Sequence, residues 1–190
     1  MSSKAIRGVP QKPSTSAPSQ IEAKPDLQGV ILAVQANLAS TYQLLGRLEE
    51  ALPLRRYVYS VRVKLLGEEN GQTLGAAFNC ATTLKGLSRF EECKALLRKT
   101  MPVTRRVLGE SNEVMLKMKK IHALALVMDD SATLDDFREA VTTLEDTEPI
   151  ARRVLGGSHP LSVDIESDLR RARAVLHARE TTLSPPARVV

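Results

Sequence analysis

The chain has 190 residues, enough for one domain with tails, and its 43% hydrophobic content suits a folded core with only 3% aromatic side chains. Its net charge of +5 reads as a nucleic-acid footprint only until it is located: residues 1–25 hold Lys4, Arg7, Lys12 and Lys24 against Glu22, leaving the remaining 165 residues at +2. No apolar run approaches the ~20 residues of a membrane span, and no apolar stretch near the start forms a secretory signal.

Residues 1–25 contain four prolines and five serines with few large apolar side chains. Such a segment buries too little surface to offset its ordering entropy, and the expectation is a disordered tail. Its basic, Ser-rich and acid-poor composition also matches an organelle transit peptide, and that alternative stays open beside a cytoplasmic location. Residues 181–190, with Pro185-Pro186, read as a second flexible tail.

From Asp26 a helical period takes over. Val34, Leu38, Tyr42 and Leu45 form an apolar stripe on a helix ending near Gly46. A partner helix follows from Arg47 to about Leu66, with Leu48, Ala51, Leu54, Val58 and Val61 facing inward. Two further helices are expected at 71–86 and 89–108, the second opened by a capping box of Ser88 with Glu91. Asn70, Asn112 and His159 hold equivalent places, each fitted to an N-cap, and Pro160 then sits at N1. Thr133 with Asp136 is a weaker counterpart of the capping box. Pro102 and Pro149 are equivalent and lie well inside their helices, where a proline should kink or break the helix, and their recurrence suggests a tolerated bend built into the stack. A last helix, about 160–179, carries Arg170 and Arg173 where earlier copies have Ala81 and Leu84, the polar substitution that a solvent-facing cap requires.

These elements repeat. Leu66-Gly67 recurs as Leu108-Gly109 after 42 residues and as Leu155-Gly156 after 47. Asn37-Leu38-Ala39 answers to Asn79-Cys80-Ala81, and Leu48-Glu49-Glu50-Ala51 to Phe90-Glu91-Glu92-Cys93. The third copy reads Phe137-Arg138-Glu139-Ala140, which places its five extra residues around Asp129 to Thr133. A period of 40-odd residues in a helix-forming chain means stacked helix pairs, each burying its apolar face on the next. The expected repeats span about 27–67, 68–109 and 110–156, with a capping helix at 157–179. The fold class is therefore all-α, with about seven helices.

The residues Asn37-Leu38-Ala39, Tyr42, Gly46, Leu48-Glu49-Glu50-Ala51, Leu54-Arg55-Arg56 and the closing Leu155-Gly156-Gly157-Ser158-His159-Pro160 resemble tetratricopeptide repeats of the 42-residue kinesin light chain-like type, over about residues 27–177. The resemblance implies a right-handed superhelical stack of helix-turn-helix units. In that family the first helix of each pair lines a concave groove that takes hold of a peptide, and an Asn placed as Asn37 commonly hydrogen-bonds the peptide backbone. Carried over, it implies a binding face of Asn37, Ser40, Gln43, Asn79, Thr82, Lys85, Lys117 and Lys120. The asparagine ladder is interrupted by Ile121 and Asp168, and the lysines favour a peptide with acidic residues.

No catalytic constellation converges in the sequence, so no enzyme, cofactor or small-molecule substrate is expected. Cys80 and Cys93 fall on apolar repeat positions and read as buried structural thiols without a metal set. His122 sits where Leu38 and Cys80 pack, and His177 lies in the fraying last helix. Asp129-Asp130 and Asp135-Asp136 lack the spacing and glycine of a calcium loop, and no phosphate-binding glycine loop is present. The doublets Arg55-Arg56, Arg105-Arg106 and Arg152-Arg153 read as a solvated outer face of second helices.

The expected function is a protein-interaction module, an adaptor or scaffold binding a peptide or partner domain on its first-helix face. The alternatives are a truncated or degenerate array that works within a larger assembly, and a nucleic-acid-associated protein whose basic ridge tracks phosphates.

Overall fold

The computed structural model describes residues 27–183. The tail expected at residues 1–25 lies outside them, as do residues 184–190. Seven helices make up the described chain: α1 (Leu27–Leu44), α2 (Leu48–Leu66), α3 (Gly71–Gly86), α4 (Phe90–Leu108), α5 (Glu113–Val127), α6 (Leu134–Leu155) and α7 (Pro160–Leu183). The last helix thus continues through residues 181–183, where a flexible tail is expected from the sequence. Each helix packs on its chain neighbours, and α3 also packs on α5 and α5 on α7. From α3 onward the first helices of the pairs therefore approach one another more closely than the second helices do, which puts them on the inner side of the stack. No described helix is long and apolar enough to cross a membrane.

Local chemistry sets the boundaries. Asn70 and Asn112 are N-caps whose side chains accept from the N–H of Gln72 and Val114, at 2.8 and 2.9 Å. His159 plays the same part for α7, its Nδ1 accepting from Leu161 N at 3.2 Å. Thr133 and Asp136 form a complete, reciprocal capping box at the start of α6. That box lies in the inserted segment and starts α6 one turn earlier than its counterparts, so α6 has 22 residues against 19 in α2 and α4.

The capping box expected at Ser88 does not form. Ser88 has φ 57° and corresponds to Gly46 at φ 72°, the turn residue of the first repeat. Held in the left-handed region, it cannot act as an extended N-cap. Arg89 takes the N-cap position without a side-chain cap and pairs instead with Glu92, as Arg47 pairs with Glu50 one repeat earlier. Pro102 and Pro149 do not break their helices. Both helices run on, as α2 does through Pro53. All three prolines are on exposed helix faces, where water can solvate a carbonyl left without its donor.

The core is unevenly distributed. Its largest clusters join Leu116, Leu126, Leu144, Ile165 and Leu169 of α5 to α7, and Leu52, Leu84, Cys93, Leu97 and Met118 of α2 to α5. The first hairpin shares only a small cluster with α3, formed by Leu32, Val58 and Ala76. Of the stripe expected to pack on α1, Val34, Leu38 and Leu45 are exposed, and the helix buries Leu32 and Ala39 instead. No described helix precedes α1 to cover the stripe. Arg170 and Arg173 of α7 are exposed at the other end of the stack, with Arg173 donating to Glu145 of α6.

Candidate functional site

Where α3, α5 and α7 come together on the inner side, they enclose a cleft of about 340 Å³ lined by Phe78, Lys117, Lys120, Ile121, Leu161 and Asp164 among others. Helical spacing brings Lys117, Lys120 and Ile121 to one face of α5. Pro160 and the His159 cap fix the first turn of α7, which brings Leu161 and Asp164 to the opposite wall. Ile121 and Leu161 are buried and Phe78 is half-buried, so the floor is apolar.

The rim is charged but internally paired. Lys117 Nζ meets Glu113 at 2.6 Å and lies 6.0 Å from the Phe78 ring centroid. Lys120 Nζ contacts Asp164 at 2.6 Å and Asp168 at 3.6 Å, with a side chain only 16% exposed. The partnership with Lys117 holds the Glu113 carboxyl below its ordinary value. The two cations expected to attract an acidic peptide therefore already have resident carboxylates, two of them from α7.

The remaining candidate residues spread along α1 and α3. Asn79 follows Phe78 and is half-buried, while Asn37 is exposed. Thr82 donates to Phe78 O at 3.0 Å, and Lys85 is half-buried near the end of α3. Ser40 and Gln43 have another task. They accept from Arg55 Nη2 at 3.1 and 3.3 Å, and Ser40 also donates to Ala36 O. Arg55 is only 6% exposed, so its assignment to a solvated outer ridge is wrong. Arg55 corresponds to Leu97 and Leu144, both fully buried core residues, and the repeat alignment itself carried this signal. Burial pulls its guanidinium below the ordinary value, and its Nε has no hydrogen-bond partner.

The rest of the basic ridge is laced with carboxylates. Arg56 pairs with Glu92, Lys99 with Glu68, Arg106 with Glu69, and Glu110 serves both Arg105 and Lys119. Arg56–Glu92 and Arg105–Glu110 cross from one repeat to the next, the others lie within a repeat, and all of them lower the positive potential that a phosphate backbone would meet. Lys94 is 7% exposed and reaches Asp129 of the inserted loop at 2.8 Å. That hydrogen bond, reinforced by Ser131, holds the Asp129 carboxyl far below the usual range.

Cys80 and Cys93 are buried free thiols. Burial pushes Cys93 up to about 12, and its Sγ donates to Ala81 O at 3.3 Å. A thiol held protonated and enclosed is a packing group, as the repeat positions implied. His122 is buried too, its Nε2 lacking a partner, and burial pulls the imidazole below 6.5. No group of three or more metal-ligating side chains occurs among the described residues.

Residues 31–70 match the tetratricopeptide repeat family model. Among solved structures, the chain is similar to kinesin light chain nearly identical TPR-like repeats from Podosopora anserina, in the parent form and in a single-substitution variant. Each gives a TM-score of 0.66 at 25% identity, covering 74% of this chain and 64% of that one. The chain thus spans less than two thirds of those proteins. A third structure, BtubC (BKLC) from P. vanneervenii, shares the fold with a TM-score of 0.52 at 14% identity, over 85% of this chain and 69% of that one. No curated protein matches. One tetratricopeptide repeat is thus matched directly at residues 31–70, its marks recur at steps of 42 and 47 residues, and the chain is similar in sequence and fold to kinesin light chain-like tetratricopeptide repeats.

Proposed function

We propose that this protein is an interaction module that binds a peptide segment, or an exposed segment of a partner domain, across its first helices. The observation that carries this reading is the cleft between α3, α5 and α7, with its apolar floor and polar rim. An apolar side chain of the ligand would occupy the floor, and Asn79, with Asn37 further along, would pair the ligand backbone. An acidic ligand residue would engage Lys117, the more exposed of the two lysines, by displacing Glu113. The apolar anchor then supplies more affinity than the charge, because each ion pair gained replaces one already made. The fold is an interaction-scaffold fold, and we assign the chain no catalytic step. Two buried free thiols fit a reducing compartment, and we take the cytoplasm as the place of action.

The test is an affinity capture comparing the native chain with Asn37→Ala/Asn79→Ala and with Lys117→Glu, each checked for an unchanged helical circular-dichroism spectrum. Partners lost from the variants support the groove. An unchanged set of partners in both removes it.

A further inference from the structure

We propose that the outward stripe of α1 is a self-association face, pairing two copies of this chain helix to helix about a two-fold axis. Leu27, Val30, Ile31, Val34 and Leu38, with Leu45 just past the helix end, fall at helical spacing along one side. They are 39–69% exposed and lie opposite the side that buries Leu32 and Ala39 against α2. Eighteen residues at ~1.5 Å each make the helix about 27 Å long, and the stripe runs its whole length.

The repeat register says what such a stripe receives. Ile31, Val34 and Leu38 correspond to Thr73, Ala76 and Cys80 on α3 and to Met115, Met118 and His122 on α5, all of them buried. Ala76 clusters with Val58 of α2, and Cys80 with Leu52 of α2. Met118 Sδ accepts from Thr104 of α4 at 3.4 Å. At each of these places the stripe meets a helix from the preceding pair, and α1 alone among the described first helices has none.

A second copy fits this face better than the other segments of the chain. No charged residue occurs in α1, so two stripes laid antiparallel meet without like-charge repulsion and without burying an unpaired ion. The opposite end of the stack does not match, because its uncovered face carries the exposed Arg170 and Arg173, which head-to-tail stacking on an apolar stripe would bury. Residues 1–25 offer only Met1, Ile6, Val9 and Ile21 as large apolar side chains, interrupted by four prolines, and hold no helical stripe of equal length. A closed two-fold pair leaves the α3–α5–α7 cleft on the far repeats of each copy, so this proposal does not depend on what the cleft binds.

The experiment is sedimentation equilibrium on the full chain over a wide concentration series, beside Val34→Glu, Leu38→Glu and, as a control at the other end, Arg170→Glu. The native chain and the control are expected to form a reversible dimer. The two α1 variants, altered at exposed positions and so retaining the native helical circular-dichroism spectrum, are expected to weaken the dimer about 100-fold or more, since the two-fold axis sets the new carboxylates close together in an apolar contact. A native chain that stays monomeric throughout overturns the proposal. So does dimerisation undiminished by the α1 substitutions, or association that Arg170→Glu abolishes.

Discussion

The two ends of the stack solve the same problem differently. At the C-terminal end α7 places Arg170 and Arg173 where α3 carries Ala81 and Leu84, so the face that a further helix would cover is already suited to water. At the N-terminal end α1 keeps its apolar stripe exposed and has no charged residue to solvate it. Inside, the contrast runs the other way. Position 144 of the last pair is a fully buried leucine, while the matching position 55 of the first is an arginine that donates to Ser40 and Gln43. One end is finished outside and well packed within; the other is apolar outside and polar within. In a solenoid, stability passes only between neighbours, so the first hairpin depends most on whatever covers it.

The sharpest test compares core truncations at the two ends. Leu144→Ala, at a fully enclosed site, should cost ~3–4 kcal/mol in urea unfolding, and Leu32→Ala, at the edge, nearer ~2 kcal/mol. Equal losses would break the contrast. Arg55→Leu, which installs the residue of the two later repeats, should stabilise the first hairpin by ~1–2 kcal/mol, because it removes a buried guanidinium with an unpaired Nε. A destabilised variant would mean that the Ser40 and Gln43 contacts outweigh desolvation. Ser88→Gly, which copies Gly46 of the first repeat, should raise stability by ~0.5–1 kcal/mol by relieving a left-handed serine, offset in part by the freer unfolded chain. An unchanged midpoint would count against strain at that turn.

The smallest effect concerns pH. The folded-state value of His122 lies below its unfolded value of 6.5. The unfolded chain therefore binds more protons just below that pH, and stability should fall as the solution is acidified from neutrality through 6.5. Glu139 opposes the shift, while Arg98 and Lys94 add to it. His122→Cys, the residue at the matching place in α3, should flatten that part of the curve. A slope unchanged in the variant assigns it to another group.

Much of the fold was legible because it is local. The N-caps Asn70, Asn112 and His159 each act on a backbone N–H two residues away, and a short window of sequence contains both partners. Ser88 misled for a related reason: the same residue type suits a cap or a tight turn, and the need for a left-handed residue opposite Gly46 decided between them. The cleft was legible only in part. Lys117 and Lys120 stood out as cations, but Asp164 and Asp168 lie more than forty residues further on and reach Lys120 only once α7 docks on α5.

The sequence by itself determined seven helices, most of their ends and the register of the repeats, since these follow from apolar spacing and from hydrogen bonds within one turn. It also determined which side of α1 is apolar. Only the tertiary structure decided what each side meets: that the α1 stripe stands open, that Arg55 is enclosed, and that the lysines of the cleft are already paired. Burial and charge pairing belong to surfaces brought together from separate repeats, and no stretch of chain contains both halves of such a contact.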